Sequence, residues 1–197
     1  MKTAITLTAI MFTTLTPCFA ATAPCSGTFE IGITPGEGRP KYEVLQNIIE
    51  IRKDPSSLSP LIDRVDVEKH TEFEFEDIRF RTTNPSKTKL KANTTLAARS
   101  FGCIKYLSRD NYYSGGENIE LEISANQEIE YLQYRAEGAC FIRVGGSVFE
   151  ANTCPVTGVE EPKTELWIKT TIHGVKGWVL IDNISAKESC RYPYNCS

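Results

Sequence analysis

The sequence predicts a mainly β fold that is stapled by disulfides. Several short segments alternate apolar with polar residues, which is typical of half-buried strands. Turn-forming Gly, Pro, Asn and Asp separate these segments, and no long window carries apolar residues at the spacing of an amphipathic helix. The chain of 197 residues has seven cysteines, six of which follow the N-terminal leader. An even number of cysteines in an exported chain favours disulfides, because the compartment is oxidising.

The leader, MKTAITLTAIMFTTLTPCFA, predicts a signal peptide over residues 1–20. Lys2 gives the positive start, an apolar run follows, and Ala20 and Ala21 are the small residues expected at a cleavage site. Cys18 leaves with this segment. A retained membrane anchor is the alternative, but the apolar run is short and rich in threonine. We expect the mature chain in the periplasm or secreted, with no integral membrane segment.

The strand pattern recurs along the chain. "YEVLQNIIEIR" (42–52) is rich in β-branched residues, and "TEFEFEDIRFR" (71–81) alternates with a phase break at Asp77-Ile78, which predicts a bulge. "ENIELEISA" (117–125) also alternates. Two hairpins are predicted around Gly145-Gly146 and His173-Gly174. The predicted exposed or turn-rich segments are 84–95, 111–118 and 155–165.

The spacing of the cysteines favours particular bridges without fixing them. One pair flanks the Gly145-Gly146 turn, one pair brackets the short segment RYPYN, and the third follows by elimination. No close C-x-x-C pair is present, so a metal site is not expected. The expected bridges are Cys140–Cys154, Cys190–Cys196 and Cys25–Cys103.

The segment WIKTTIHGVKGWVLIDNI (167–184) resembles the closing hairpin of bacterial SH3-like domains, although Thr170 stands where an apolar residue is more usual. The upstream segment IIEIRKDPSSLSPLIDRV (48–65) resembles the opening strand and loop of the same family. The matching positions are Trp167, Gly174, Gly177, Trp178 and Val179 in the first segment, and Ile51, Arg52, Pro55, Ser56, Ser59, Pro60, Leu61 and Ile62 in the second.

The two matching segments are farther apart than one such domain spans, so the resemblance implies two small SH3-like β-barrels in tandem. One SH3-like domain with a large insertion is the alternative. The expected organisation is a signal peptide (1–20), an N-terminal segment (21–40), a divergent module (41–113), a linker strand (114–126), a second module (127–186) and a disulfide-closed tail (187–197).

Motifs for catalysis are weak. His70 and His173 are the only histidines, and neither lies in H-E-x-x-H. No G-x-S-x-G elbow and no cofactor signature is present, so we expect no enzyme and no cofactor. A carboxylate-pair hydrolase remains an alternative. The net charge of −3 argues against nucleic acid as a partner, since phosphate binding needs clustered basic residues.

The resemblance implies a shallow groove lined by aromatic side chains. Its candidate ligand-binding residues are Trp167, Trp178, Tyr131 and Tyr134. Alternation places Trp167 on the face of Lys169, where we expect it to be exposed. For Trp178 we favour closing the barrel, and for the two tyrosines we favour packing.

The function expected is an exported, non-enzymatic binding protein that recognises peptidoglycan peptides or an envelope protein. The alternative is a periplasmic immunity or inhibitor protein against a toxin or wall hydrolase, because a rigid scaffold loses little entropy on binding. Such a protein needs a protruding loop, for which the candidates are 84–95 and 111–118.

Overall fold

The structure, a computed structural model, describes residues 25–32, 41–182 and 186–189. This part of the chain is mainly β, as predicted, with one short helix. The elements are β1 (Phe29–Ile31), β2 (Lys41–Val44), β3 (Ile48–Arg52), β4 (Leu61–Asp66), β5 (Glu72–Phe73), β6 (Asp77–Asn84), β7 (Ser86–Lys89), β8 (Thr94–Gly102), β9 (Tyr106–Leu107), α1 (Arg109–Ser114), β10 (Glu117–Ile123), β11 (Glu128–Ala136), β12 (Ala139–Val144), β13 (Ser147–Ala151), β14 (Lys163–Ile172), β15 (Val175–Ile181) and β16 (Ala186–Ser189).

These strands form three sheets. The seven-stranded sheet has the order β4-β3-β15-β14-β6-β1-β9, and the six-stranded sheet has the order β10-β8-β13-β12-β11-β7. A small sheet has the order β16-β2-β5. The strands β1 and β9 are parallel, whereas the other neighbours are antiparallel. The described strands form no closed barrel.

The sheets enclose three apolar clusters. The first core joins the small sheet to the seven-stranded sheet and includes Val44, Ile168 and Val179. The second lies on one face of the six-stranded sheet. The third lies where the two large sheets meet, with Phe29 from one and Phe141 from the other, their ring centroids 5.5 Å apart.

Two predicted strands are divided between sheets. The segment 42–52 gives β2 in the small sheet and β3 in the seven-stranded sheet. The segment 71–81 gives β5 and β6, so the predicted bulge at Asp77-Ile78 is wrong; the chain changes sheet just before this step. Phe73 and Phe80 nevertheless pack against the same first core, because the two sheets share it.

Two predicted loops contain regular structure. The segment 84–95 includes β7, which pairs with β11, because Ser86 and Thr88 alternate with its lysines and are half-buried. The segment 111–118 overlaps α1, which is capped by Ser108, whose side chain accepts a hydrogen bond from the backbone N–H of Asn111. Neither segment is therefore a free loop.

Strand pairing crosses the predicted module boundary. β6 pairs with β14 and β8 pairs with β13, so each large sheet takes strands from both 41–113 and 127–186. This pairing does not produce two separate barrels, because strands from 41–113 lie beside strands from 127–186 within the same sheet. β3 lies beside β15, which brings together the two segments that resemble the SH3-like family.

Two predicted disulfides are confirmed, Cys25–Cys103 and Cys140–Cys154. They indicate an oxidising, extracytoplasmic environment. The predicted Cys190–Cys196 bridge and the predicted signal peptide lie outside the described residues. Among the residues that the structure describes, no helix has the length and apolar character to cross a membrane.

Candidate functional site

The hairpin of β14 and β15 lies near the middle of the seven-stranded sheet. Its turn residues His173 and Gly174 have φ of 49° and 84°, and Ile172 pairs with Val175, as predicted for a two-residue turn. Gly177, on β15, is needed for close packing rather than for the conformation of the turn. A Cβ there would lie 2.5 Å from Ile51 Cγ2 and 2.7 Å from the carbonyl oxygen of Arg52. This glycine therefore lets β3 approach β15.

Trp178 is buried and only 5% exposed. The Arg79 guanidinium lies 5.2 Å from the centroid of its ring and 3.5 Å from that of Tyr106, so the guanidinium contacts two aromatic rings. Such contacts stabilise a partly desolvated cation. Arg79 also lies within 3.4 Å of Glu30. We expected Trp178 to close a barrel; the described strands form no closed barrel, and the ring is buried beside Arg79.

Trp167 is 1% exposed, so the expectation that it is exposed is wrong. It does share the face of Lys169, as alternation predicted, but β14 is a central strand on which both Trp167 and the next residue, Ile168, are buried. Its neighbours across the sheet are Arg79 and Leu180. Alternation separates the two faces of a strand but does not tell which of them faces solvent.

A chain of polar contacts links Trp167 to the loop between β3 and β4. The indole Nε1 donates to Glu165 at 2.9 Å, and Glu165 lies 3.7 Å from Arg81 Nη1. Arg81 Nη1 in turn donates to the carbonyl of Pro55 at 3.3 Å. These contacts fix the β3–β4 loop to the sheet face that carries Trp167.

The two candidate tyrosines lie in the six-stranded sheet, on β11, and the structure does not bring them to the tryptophans. Tyr131 is buried and donates to Glu161 at 3.0 Å; burial and this carboxylate raise the pKa of the Tyr131 hydroxyl. Tyr134 is exposed beside a turn and accepts from the backbone N–H of Gly138. The four predicted residues therefore form no common groove.

The β3–β4 loop, residues 53–60, is held by its own hydrogen bonds. Arg52 Nη1 donates to the carbonyl of Ser59 at 2.8 Å, and the backbone N–H of Asp54 donates to Ser59 Oγ at 2.8 Å. The backbone N–H of Lys53 donates to the carbonyl of Pro60 at 3.1 Å. Because these bonds close the loop at its base, its tip is presented in a defined conformation.

Three exposed aliphatic residues lie on this loop and on the strand that follows. Leu58 is 92% exposed, and Leu61 and Ile62 are 41% and 49% exposed. We call these three residues the Leu58 patch. β4 is an edge strand, and Ile62 is left unpaired where Arg52 opposes Leu61 and Ile51 opposes Asp63. Clustered exposed aliphatic side chains mark interaction surfaces more often than single ones do.

Charged residues border the patch. Glu50 on β3 accepts hydrogen bonds from Arg64 at 2.9 Å and from Arg52 at 2.6 Å. These hydrogen bonds, from Arg64 first and then Arg52, hold the pKa of Glu50 below its ordinary value. The pair of Glu50 with Arg64 joins β3 to β4, whereas the pair with Arg52 lies within β3.

The part of the chain that the structure describes has neither a free thiol nor a cluster of metal-ligating side chains. Cys25, Cys103, Cys140 and Cys154 are bonded in disulfides and offer no thiolate nucleophile. His70 Nδ1 contacts Glu43 at an exposed position. Within the described residues, no group of three or more His, Cys, Asp or Glu is placed to hold a metal ion.

Sequence reasoning used Leu61 and Ile62 only as motif positions and missed the patch. A signal for the patch was present in the sequence: three aliphatic residues lie within five positions of a segment rich in serine and proline.

Comparison of the chain with protein-family models, with curated proteins and with solved structures finds no match.

Proposed function

We propose that this chain is an exported, non-enzymatic binding protein of the cell envelope whose target is another protein, held by the Leu58 patch. One observation carries the proposal: Leu58 is 92% exposed at the tip of a loop that hydrogen bonds hold in place. An aliphatic side chain kept in water is costly, and burial in a partner's pocket recovers that free energy.

A protein target is favoured over a cell-wall peptide. Peptide recognition by an SH3-like fold uses an exposed aromatic groove. Trp167 and Trp178 are buried, and the first of them donates its indole N–H to Glu165. Since Trp167 is 1% and Trp178 is 5% exposed, little of either ring is open to a ligand.

In this proposal the family resemblance applies to one SH3-like domain with a large insertion, which was the alternative to two barrels in tandem. β3 and the loop after it lie beside the β14–β15 hairpin, so the opening and closing segments adjoin in one sheet. The strands from β7 to β13, with the exception of β9, form the six-stranded sheet and would be the insertion. On this interpretation the Leu58 patch belongs to the loop of the SH3-like unit.

The proposal is tested by site-specific photo-crosslinking in the cells that export the protein. A photoreactive phenylalanine is placed at Leu58 or Leu61 and, as a control, at Ile48. Ile48 is 52% exposed and lies at the opposite end of the β3–β4 pair, which makes it a matched position. We expect one discrete protein adduct from the patch positions and none from Ile48.

The adduct is identified, and its binding is measured with both purified proteins by calorimetry. Leu58→Asp should weaken binding about thirtyfold, as for a central interface side chain, and Ile48→Asp less than about twofold. Equal effects of the two substitutions would contradict the proposal. So would retention on purified wall sacculi that Leu58→Asp leaves unchanged, since this would indicate a wall ligand elsewhere on the protein.

The inhibitor function is a second candidate, favoured by the fixed conformation of the β3–β4 loop. A preorganised loop loses little entropy when it enters an active site. If the captured partner is a hydrolase or a toxin, the purified chain should abolish its activity at a one-to-one ratio, and Leu58→Asp should restore that activity. A partner that remains fully active in the complex indicates an adaptor.

A further inference from the structure

The segment Asn93-Thr94-Thr95 lies at the start of β8, directly after the bend that follows β7. An asparagine followed two positions later by serine or threonine, with a residue other than proline between them, is the acceptor motif for N-linked glycans in secreted proteins. Asn93 and Thr95 are both exposed, and Lys91 and Ala92 form an exposed bend before them. The asparagine and the threonine that define the motif are therefore accessible in the folded chain.

A hydrogen bond fixes the orientation of the Asn93 side chain. Its Oδ1 accepts from the backbone N–H of Ala125, which lies in the turn between β10 and β11, at 2.8 Å. Because a backbone N–H can only donate, this bond identifies the amide oxygen, and Nδ2 is the other atom of the amide. Nδ2 makes no hydrogen bond with the residues that the structure describes. The nitrogen that would carry a glycan is thus the one that the fold leaves free.

Other asparagines of the chain help to define the site. Asn84 is also exposed and has a serine two positions later, but Pro85 lies between them, and proline at this position abolishes the motif. Two further motifs, at 183–185 and 195–197, lie outside the described residues. Within the described part of the chain, Asn93 is therefore the asparagine at which motif and exposure coincide.

The disulfides indicate a suitable environment for this modification. Cys25–Cys103 and Cys140–Cys154 indicate that the chain resides in an oxidising, extracytoplasmic compartment. N-linked glycans belong to chains that are exported in this way. A glycan is bulky and strongly hydrated, so it needs a surface position such as this bend.

We propose that Asn93 carries an N-linked glycan. The donor would be an oligosaccharide on a lipid-linked pyrophosphate. The bond between its anomeric carbon and the phosphate oxygen breaks, that carbon forms a bond to Nδ2, and the amide nitrogen gives up one proton. Oδ1 remains an acceptor for the N–H of Ala125. This site goes beyond the proposed function, because no residue of the Leu58 patch lies on β7, on β8 or between them.

The test is mass spectrometry of the full chain recovered from the cells that export it. Trypsin releases the peptide 92–99, in which Asn93 is the one asparagine. We expect this peptide to be absent at its unmodified mass. After treatment with peptide N-glycanase, which removes the glycan and leaves aspartate, the peptide should appear with aspartate at this position. The matched control is the tryptic peptide 82–87, in which proline follows Asn84, and it should be unmodified throughout.

Two substitutions at Thr95 separate the glycan from a structural role of Asn93. Thr95→Ala removes the motif but leaves the asparagine and its hydrogen bond to Ala125 in place, whereas Thr95→Ser keeps the motif. We expect the glycan on peptide 92–99 to be lost in the first variant and retained in the second.

Three results would overturn the site. Recovery of peptide 92–99 only at its unmodified mass would show that Asn93 is not an acceptor. An added mass that resists peptide N-glycanase would place the modification on another residue of the peptide, and so would a glycan that Thr95→Ala retains. None of these results bears on cross-linking at Leu58, because that experiment uses a different surface and a different readout.

Discussion

Gly177→Ala tests the close approach of β3 to β15. The added Cβ would lie 2.5 Å from Ile51 Cγ2 and 2.7 Å from the carbonyl oxygen of Arg52, both well inside van der Waals contact. Overpacking against backbone atoms typically costs up to about 3 kcal/mol, and the reduced entropy of the unfolded chain offsets about 0.7 kcal/mol of it. We therefore expect a loss of about 2 kcal/mol in the free energy of unfolding.

The loss is measured by urea denaturation followed by tryptophan fluorescence, and it should lower the melting temperature by about 6 °C for a chain of this size. Lys176→Ala, at the exposed neighbouring position, should change stability by less than about 0.5 kcal/mol. Ile51→Ala should cost less in the Gly177→Ala background than in the wild type, because it removes one of the clashing atoms. Wild-type stability of Gly177→Ala would refute the close approach of the two strands.

Three further substitutions test other parts of the fold. Trp167→Phe removes the indole hydrogen bond to a carboxylate and should cost about 2 kcal/mol by urea denaturation, whereas unchanged stability would contradict that bond. Replacing Cys140 and Cys154 together by alanine should cost about 3 kcal/mol, because their bridge closes a loop with a sequence separation of 14; a loss below about 1 kcal/mol would contradict this. Glu50→Gln should cost less than about 1 kcal/mol at neutral pH. The hydrogen bond from Arg64 lowers the pKa of Glu50, so the wild type's greater free energy of unfolding relative to Glu50→Gln should disappear as pH falls through that lowered pKa. A difference in stability that persists in acid would contradict the ion pair.

Local features were predictable from the sequence because they depend on adjacent residues. The two-residue turns at Gly145-Gly146 and His173-Gly174 need positive φ, which glycine supplies at three of the four positions and His173 at the fourth, and the flanking segments alternate. The Cys140–Cys154 bridge followed because a hairpin brings its two ends together. The strand β10 was also predictable, since its apolar residues alternate with glutamates.

Non-local features were not predictable. Nothing in 48–52 indicates that β3 pairs with β15, since the pairing depends on space left by Gly177 in a distant strand. The same holds for β6 and β14, whose pairing crosses the predicted module boundary. The sequence led us to expect 48–65 and 167–184 in two separate modules, and only the sheet order shows that β3 lies beside β15.

The candidate site was missed because the sequence directed attention to tryptophans. A tryptophan ring can also cover a guanidinium, as Trp178 does for Arg79 with 5.2 Å between the guanidinium and the ring centroid. Arg79 and Arg81 lie on the face of Trp167, and a charge there needs partners because water is largely excluded.

This burial of the tryptophans bears directly on how the protein would bind a partner. Arg81 contacts Glu165, which holds the Trp167 indole, and also donates to the carbonyl of Pro55 in the β3–β4 loop. The same polar network thus holds the Trp167 indole N–H and anchors the loop that carries Leu58. A groove at the rings would have to break this network, whereas recognition through Leu58 leaves it intact and uses its rigidity. The buried Trp167 and the exposed Leu58 are therefore two consequences of one arrangement, and a substitution that loosens Arg81 should weaken partner binding without touching the contact surface.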